Sequence, residues 1–438
     1  MKSVKILPLE HPIDREITLH GCLSYTIRAM ALGAMTDGKV KIANALKSDD
    51  TYVMFNALKK LGILCEEGHD FFVIEGNLQN VKEANYEINV GLSGRSGRML
   101  IAMLCIVPGT KILTCGEGFK KRPVGDLVDG LRQMGARIEY LEKEGYLPVK
   151  IISSKLHGGK IKLRGEISSQ FVSAILMIAP LVGEVKIEIV GEQASKPFID
   201  MTIEAMSAFG VSVKNNNYRE YFVASGQSYA MDIYHVEPDA ISASYFWSIA
   251  ALTKSRIKIL HLSPKSVQGD VKFADILGQM GCVVRKNAEE QWIEVEGTDI
   301  LRGISVDMRD MPDTAGTLAV TAAFAQGRTE ITGLGNLKVK ETDRIEAPKK
   351  ELEKMGIHTE SGDDSLTING CRPHGAVIDT YGDHRMAMAF AIAGARIPGV
   401  VINDPGVVSK SFPDFWKKLE ELGVVIARSE ERTTRQSG

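Results

Sequence analysis

The chain has 438 residues, of which 44% are hydrophobic and 25% are charged, and its formal net charge is -2. A chain of this length is too long for one compact core, so we expect two or three domains. The near-neutral balance argues against nucleic acid as a partner, so any electropositive site must be local.

The N-terminal segment predicts neither export nor membrane insertion. Its sequence, MKSVKILPLEHPIDREI, is broken by two prolines and by charges, and no later apolar run reaches membrane-spanning length. We therefore expect a cytoplasmic protein that has no membrane partner. The six cysteines show no Cys-x-x-Cys spacing, which indicates neither a disulfide framework nor a zinc site.

One local pattern recurs along the chain: an amphipathic helix, a hydrophobic residue followed by glycine, and then an alternating strand. A glycine after a helix adopts the left-handed conformation without steric cost, and period-two alternation predicts the strand. The intervals between the glycines are 73, 75, 71, 75 and 67 residues, which indicates six copies of one α/β unit. The six glycines are Gly62, Gly135, Gly210, Gly281, Gly356 and Gly423.

Six units suggest two globular domains of three units each. Polar breaks before Val236 and a helical pattern after Asp239 place the division near residue 239. We expect a first domain of residues 21–239, a second of residues 240–428 with 1–20, and a disordered polar tail of residues 429–438. A cleft between two such domains is the default place for a ligand.

Cations and hydroxyls recur where helices are predicted to begin. Arg122 precedes the helical pattern VGDLVDGLRQMG, and it is either an anchor for a carboxylate or phosphate or a surface arginine. Ser168, Ser169 and Gln170 begin an apolar helix, where hydroxyls either cap the helix or donate to a phosphate. The same two interpretations apply to Ser195, which lies just before a proline that can open a helix.

The second half of the chain repeats this arrangement. Asp313 starts an Ala-rich helix and is either its N-cap or a general base for a hydroxyl. His384 and Arg385 head another apolar helix, with Asp383 as the expected cap. Lys410 lies just ahead of the last helix. Several helix N-termini can therefore converge on one anionic ligand.

The most informative stretch is NLKVKETDRIEAPKKELEKMG, which begins at residue 336. Asp343 followed by Glu346 fits an N-cap with its reciprocal partner, so Lys340, Glu341 and Arg344 should surround a helix N-terminus that favours an anion. Glu341 is either a salt-bridge partner or a proton-transfer group beside that anion.

These stretches together resemble the EPSP synthase family of enolpyruvyl transferases. The matching segments run in the family's order from about residue 20 to 425. They are SDDTYVMFNALKKLG, RPVGDLVDGLRQMGA, SSQFVSAILMIAPL, SKPFID, SASYFWSIAAL, QGDVKFADIL, MPDTAGTLAV, LKVKETDRIEA, YGDHRMAMAFAIA and SKSFPDFWKKL.

The resemblance implies an α/β fold of two domains, built from six βαβαββ units, three in each. It implies transfer of the enolpyruvyl group of phosphoenolpyruvate to the 5-hydroxyl of shikimate-3-phosphate, with release of phosphate, in chorismate and aromatic amino acid biosynthesis. It implies a monomer with small-molecule substrates and with no cofactor, metal or nucleic acid. It implies that Asp313, Glu341 and Lys410 are catalytic. The substrate-binding residues that it implies are Ser24, Arg28, Gly97, Arg98, Arg122, Ser168, Ser169, Gln170, Ser195, Asn336, Lys340, Arg344, His384 and Arg385.

Two segments depart from the family pattern. Leu23 stands where the resemblance implies a lysine that touches both substrates, and the segment from Gly94 gains Arg95 and Arg98 but has Ile101 in place of an arginine. Losing a cation where two anions meet typically costs several kcal/mol. Two alternatives therefore stay open: a related transferase with another hydroxylated, anionic acceptor, and a homologue that binds ligands without catalysis.

Overall fold

The computed structural model of the protein describes residues 2–428, so the predicted disordered tail lies outside the described residues. Within them the chain forms two compact units. The N-terminal unit is His20–Asp239, and the C-terminal unit combines residues 2–19 with residues 240–428. The first segment of the chain thus belongs to the same unit as the last.

The elements are numbered in chain order. The strands are β1 (Ser3–Leu7), β2 (Asp14–Ile17), β3 (Lys39–Ala43), β4 (Leu64–Glu67), β5 (Phe71–Glu75), β6 (Ala84–Asn89), β7 (Gly109–Thr114), β8 (Arg137–Tyr140), β9 (Val149–Ile152), β10 (Gly159–Arg164), β11 (Val185–Val190), β12 (Lys214–Asn216), β13 (Glu220–Val223), β14 (Ile233–His235), β15 (Arg256–Leu260), β16 (Val283–Asn287), β17 (Trp292–Glu296), β18 (Ser305–Asp307), β19 (Gly327–Thr332), β20 (His358–Ser361), β21 (Ser365–Gly370), β22 (Val377–Ile378), β23 (Val400–Asn403) and β24 (Val425–Arg428). The α-helices are α1 (Leu23–Gly33), α2 (Asp49–Lys60), α3 (Gly94–Cys105), α4 (Glu117–Lys120), α5 (Gly125–Gln133), α6 (Ser169–Ile178), α7 (Lys196–Ala208), α8 (Ala240–Thr253), α9 (Phe273–Gln279), α10 (Ala315–Ala322), α11 (Glu346–Lys354), α12 (His384–Gly394) and α13 (Phe415–Glu421).

These elements form six βαβαββ repeats, three in each unit, which confirms the predicted fold class. Each repeat builds one four-stranded sheet, for example β6-β7-β9-β8. In that sheet β6 and β7 pair in parallel, while β9 pairs antiparallel with both β7 and β8. The parallel pair requires a crossover helix, here α3, and that helix lies on the inner side of the repeat.

Three strands complete sheets whose other members are distant in sequence. β14 pairs in parallel with β3, and β2 pairs in parallel with β15. β1 lies between β23 and β24 and pairs antiparallel with both. The first 17 residues therefore supply two strands to the C-terminal unit.

The six repeated glycines have the predicted conformation. Their φ angles lie between 80° and 111°, a region that residues with a side chain adopt at a cost. Each glycine ends a helical segment, and a strand starts two to four residues later. This turn is the local sequence signal from which the repeat was predicted.

Two crossover helices of the C-terminal unit, α8 and α12, are buried on every side. All fourteen residues of α8 are buried, and none of them is charged. The interior of a domain is unfavourable for charge, and in α12 the two ionisable residues, His384 and Arg385, stand at its first two positions. No helix within residues 2–428 has the length and apolar character needed to cross a membrane.

We predict that Gly394→Ala destabilises the protein. A Cβ at Gly394 would lie 2.5 Å from the Cβ of Ile6, because α12 packs directly on β1. Overpacking of this kind typically costs about 1–3 kcal/mol, more than the gain in helix propensity. A lower unfolding midpoint in urea would show it. Gly316→Ala in α10 is the control, because its nearest neighbour would be 4.0 Å away. Equal midpoints for the two variants would contradict the prediction.

Candidate active site

The C-terminal unit gathers six ionisable side chains into one group, here called the ionic cluster. Most of them come from the segments that precede α10, α11 and α12, so the convergence of helix starts predicted from sequence exists within this unit. Three members are cations and three are carboxylates, so their formal charges cancel. The members are Asp313, Glu341, Arg344, Asp383, Arg385 and Lys410.

Arg344 is at the centre of the ionic cluster. Its Nε and Nη2 donate to the two oxygens of Asp383 at 2.7 and 3.0 Å. Nη1 donates to Asp313 at 3.1 Å, and Nη2 donates to Glu341 at 2.6 Å. Burial alone would lower the pKa of Arg344, but the carboxylates of Asp383, Glu341 and Asp313 outweigh burial and raise it.

Asp383 is a site residue that the sequence analysis recognised only as a cap. The capping role is confirmed, because its side chain accepts from the backbone N–H of Arg385 at 2.9 Å. The same carboxylate is fully buried and binds Arg344 with both oxygens. The order Asp-His-Arg at the head of an apolar helix is the only sequence signal that pointed to it.

Asp313 joins the two arginines of the cluster. One of its oxygens accepts from Arg344, and the other accepts from Nη2 of Arg385 at 3.0 Å. The alternative in which Asp313 is the N-cap of the Ala-rich helix is wrong, because Thr314 takes that position and Asp313 lies within the preceding 3-10 turn, Pro312–Thr314. Nη1 of Arg385 also lies 3.4 Å from the hydroxyl of Tyr245, on α8, which the sequence analysis missed.

Glu341 bridges Arg344 and Lys410. One oxygen accepts from Arg344, and the other accepts from Nζ of Lys410. The side chains of Glu341 and Lys410 are 13% and 12% exposed, against none for Asp383, so they form the open edge of the cluster. A carboxylate that contacts an ammonium group at such an edge can pass a proton to and from a ligand.

The start of α11 differs in one respect from its prediction. Asp343 does cap the segment, because its side chain accepts from the backbone N–H groups of Ile345 and Glu346 at 3.0 and 3.1 Å. The predicted reciprocal bond, in which the Glu346 carboxylate would accept from the backbone N–H of Asp343, is wrong. That carboxylate accepts instead from the hydroxyl of Ser361 on the neighbouring strand. A tertiary contact with β20 therefore engages the Glu346 carboxylate that would otherwise complete a local capping box.

Asn336 and Lys340 lie half-buried on the segment that leads to Glu341. Asn336 is in a 3-10 helix, Gly335–Val339, and Lys340 follows it directly. The chain therefore places both predicted substrate contacts within five residues of the ionic cluster.

His384 is buried beside the cluster, with Nδ1 3.4 Å from Asp383. Burial lowers the pKa of His384 well below its ordinary value, and the positive charges of Lys410 and Arg385 lower it further. The imidazole is therefore neutral at physiological pH. It can donate or accept a hydrogen bond without adding to the charge of the cluster.

The N-terminal unit contains a second group of predicted residues, around Phe119. Nη1 of Arg98 donates to the side-chain oxygen of Gln170 at 2.9 Å, and Nη2 donates to the carbonyl of Pro123 at 3.0 Å. The guanidinium groups of Arg98 and Arg122 each lie 5.7 Å from the Phe119 ring centre. Cation–π contact with one ring thus holds two nearly buried arginines close together.

Glycine in α3 makes this pair possible. A Cβ at Gly94 would lie 3.1 Å from Nη1 of Arg122, and a Cβ at Gly97 would lie 2.7 Å from the Phe119 ring. The predicted substrate contact of Gly97 stays a prediction. In the structure, the absence of a side chain at Gly97 leaves room for the Phe119 ring. A side chain at either position would displace the aromatic ring or the arginine.

Three of the four predicted serines of this unit differ in their local roles, and the fourth, Ser24, is buried in the first turn of α1. Ser168 caps α6 by accepting from the backbone N–H of Gln170 at 3.3 Å, and Ser169 is buried in the first turn of that helix. Ser195 precedes α7 with φ 53° and makes no side-chain capping bond, so the capping interpretation of Ser195 is wrong.

Arg28 is part of the interior of the N-terminal unit. Its guanidinium donates to the Thr202 hydroxyl at 2.8 Å, the Phe198 carbonyl at 2.8 Å and the Ser24 carbonyl at 3.0 Å. Burial lowers the pKa of Arg28 to about 10. These three acceptors are hydroxyl and carbonyl oxygens, so they are neutral, in contrast to the carboxylates that bind Arg344.

The segment that departs from the family pattern lies next to Arg28. Leu23 begins α1 and is 3% exposed. Arg95 on α3 is half-buried, and its positive charge acts on the ionisation of both Cys22 and Arg28. A cation from α3 therefore lies near the start of α1.

The ionic cluster offers both carboxylates for proton transfer and arginines for an anionic ligand. No group of three His, Cys, Asp or Glu side chains within the described part of the chain could hold a metal ion. The chemistry that the arrangement supports directly is acid–base catalysis on an anionic substrate.

Comparison of the sequence with protein families gives one full-length match. The family described as EPSP synthase (3-phosphoshikimate 1-carboxyvinyltransferase) matches residues 9–419. A 3-phosphoshikimate 1-carboxyvinyltransferase of Sulfurovum sp. (strain NBC37-1) is 42% identical over 429 residues, covering 96% of this chain and 99% of the relative. The protein of the same name from Vibrio vulnificus (strain YJ016) is 44% identical over 433 residues, with the same coverage.

Solved structures resemble the chain over nearly its whole length. EPSP synthase from Acinetobacter baumannii is 26% identical and superimposes with a TM-score of 0.83, covering 98% of this chain and 100% of the other. The enolpyruvyl transferase NikO from Streptomyces tendae, 18% identical, shares the fold with a TM-score of 0.80, covering 98% of this chain and 99% of the other.

We predict that His384→Asn weakens the acid sensitivity of the fold. Because the folded-state pKa lies below the unfolded value, the unfolded chain takes up a proton below about pH 6.5 that the folded chain does not. Stability is therefore complete above that pH and falls by up to about 1.4 kcal/mol per pH unit below it. Urea unfolding between pH 7 and 5 should give a shallower slope for the variant. An exposed histidine provides the control, His11→Asn, which should keep the parent slope. A parent-like slope in His384→Asn would refute the argument.

Proposed function

The chain belongs to the EPSP synthase family, and we propose that it catalyses the reaction for which that family is named. It is a transferase that moves the carboxyvinyl group of phosphoenolpyruvate to the 5-hydroxyl of shikimate-3-phosphate and releases phosphate. The observation that carries the proposal is the ionic cluster, which holds Asp313 and Glu341 against Arg344, Arg385 and Lys410.

The reaction has an addition step and an elimination step, and each step needs two proton transfers. The acceptor hydroxyl attacks C2 of phosphoenolpyruvate, which requires a base for the hydroxyl proton and an acid for the methylene carbon. Loss of phosphate from the tetrahedral adduct then returns a methyl proton to the group that had protonated the carbon, and the base gives the hydroxyl proton to the departing phosphate. We assign the hydroxyl proton to Asp313 and the carbon proton to Glu341, which contacts the ammonium of Lys410.

The cations of the cluster serve the second requirement, the charge of the substrates. Arg344, Arg385 and Lys410, with Arg122 of the N-terminal unit, are the proposed anchors for the carboxylate and phosphate of phosphoenolpyruvate. Because Arg344 and Arg385 already donate to carboxylates, their guanidinium groups are held in place before the substrate arrives. Preorganised donors stabilise developing charge without the cost of reorienting during the reaction.

The acceptor is assigned to Gly97 and to residues whose side chains donate hydrogen bonds or carry positive charge. Arg98 binds Gln170 directly, so it positions one of these contacts. The proposed acceptor residues are Ser24, Arg28, Gly97, Arg98, Ser168, Ser169, Gln170, Ser195, Asn336, Lys340 and His384.

A transferase that acts on another hydroxylated anion is the second candidate. Its support is Leu23, an apolar residue that is buried at the start of α1, where the family resemblance implies a lysine. Phosphate release from phosphoenolpyruvate with shikimate-3-phosphate separates the two candidates. Binding of phosphoenolpyruvate without turnover would favour the second candidate, and no binding of either substrate would favour a non-catalytic homologue.

The remaining expectations concern the setting of the protein. Cytoplasmic location, a monomeric state and the absence of nucleic acid as a partner stay predictions from sequence.

We predict that Asp313→Asn lowers kcat by about 10²–10⁴-fold, the usual contribution of a general base. The affinity for phosphoenolpyruvate should not fall, because the amide leaves Arg344 and Arg385 with less competing negative charge. Phosphate release gives kcat, and calorimetry gives binding. Asp275→Asn, an exposed carboxylate paired with Lys286, is the control and should be active. Full turnover in Asp313→Asn would exclude the assigned role.

We predict that Arg98→Met raises KM for shikimate-3-phosphate by about tenfold and leaves KM for phosphoenolpyruvate nearly unchanged. Hydrogen bonds to charged groups are worth about 1.5–3 kcal/mol, and this one fixes Gln170. Steady-state kinetics with each substrate varied in turn tests it. Arg164→Met removes an exposed arginine that pairs with Asp126 and should match the parent. An unchanged acceptor KM in Arg98→Met would rule out the positioning role.

A further inference from the structure

A cavity of about 840 Å³ lies at the opposite end of the C-terminal unit's central helices from the ionic cluster. Its walls include Leu252, Phe324 and Ile397, which stand at or just beyond the C-terminal ends of α8, α10 and α12. Asp313 and Arg385 stand at the N-terminal ends of two of these helices. An eleven-residue helix such as α12 is about 16 Å long, so the cavity is distinct from the catalytic group.

The floor of the cavity is apolar. Leu252 and Leu301 belong to the buried core at its base, and the partly buried Phe324 and Ile397 pack against that core. A concave surface of this size, lined by aliphatic and aromatic side chains, is the usual setting for the apolar body of a small ligand.

The wall carries positive charge that no carboxylate neutralises. Lys254 forms an ion pair with Asp299, and these two charges cancel. Arg372 and Arg396 are exposed, and their side chains make no hydrogen bond or ion pair with any residue between 2 and 428. Arg396 follows the C-terminus of α12, and Arg372 follows Cys371, whose backbone N–H donates to the Ala323 carbonyl at the end of α10. The dipoles of these two helices offset part, but not all, of the two positive charges.

We propose that this cavity binds a small amphipathic anion: an aromatic or short aliphatic body that carries one carboxylate or phosphate group. Arg372 and Arg396 hold the anionic group, and the body lies against Phe324, Leu301 and Ile397. Guanidinium forks bind such groups in a bidentate manner, which provides orientation as well as affinity. The inference is independent of the carboxyvinyl transfer, since it uses none of the residues assigned to that reaction.

Binding of three matched probes to the full chain tests the proposal. The probes are 1-naphthoate, 1-naphthyl phosphate and the neutral 1-naphthamide. Calorimetry and ligand-observed NMR measure their binding. We expect at least one of the two anions to bind with a dissociation constant at or below about 1 mM, a modest efficiency for ligands of this size. The tighter of the two identifies the anionic group. The amide should bind at least about tenfold more weakly, because it lacks the charge that the arginines recognise.

Variants assign the site of binding. The double variant Arg372→Gln/Arg396→Gln should weaken the anion at least about tenfold while turnover and the unfolding midpoint stay at parent values, because neither residue belongs to the catalytic set. Arg15→Gln, an exposed arginine on β2, should bind like the parent. Unchanged anion binding in the double variant, equal binding of the amide, or no binding of either anion at 5 mM would each overturn the proposal.

Discussion

The C-terminal unit depends on one buried guanidinium, that of Arg344. Removing an arginine from water is costly, and here three carboxylates from separate segments offset the cost. Breaking such a buried pair by removing one partner typically costs about 3–5 kcal/mol. The head of α12, the turn before α10 and the segment before α11 are therefore tied to one point, and this constraint gives the proposed proton-transfer groups a fixed geometry.

The repeat architecture explains why charge collects at that point. In the C-terminal unit the central helices α8 and α12 are buried on every side, and the ionisable residues of α12 stand in its first turn. The N-terminal unit differs, because Arg28 and Arg98 stand in the second turns of α1 and α3. Arg98 donates to an amide and a carbonyl oxygen, and Arg28 donates to hydroxyl and carbonyl oxygens. The same fold thus produces a neutralised cluster in one unit and arginines with uncharged acceptors in the other.

The two ends of the central helices in the C-terminal unit have different chemistry. At their N-terminal ends, carboxylates and cations are paired and nearly buried. At their C-terminal ends, an apolar floor meets exposed arginines. Paired and buried charges suit a reaction that moves protons between fixed groups, whereas exposed cations over an apolar surface suit reversible capture of a ligand.

The sequence alone determined the repeated unit, because each glycine after a helix and each alternating strand is a local signal with a local physical cause. It also determined the caps made by Asp343 and Asp383 and, through family motifs, the residues of the ionic cluster other than Asp383. Only the tertiary structure decided how these residues pair. Asp313 pairs with two arginines instead of capping its helix, Glu346 binds Ser361 instead of its own turn, and Asp383 binds Arg344. A side chain near a helix start has both local and distant partners within reach, and the choice rests on the burial of charges that are distant in sequence.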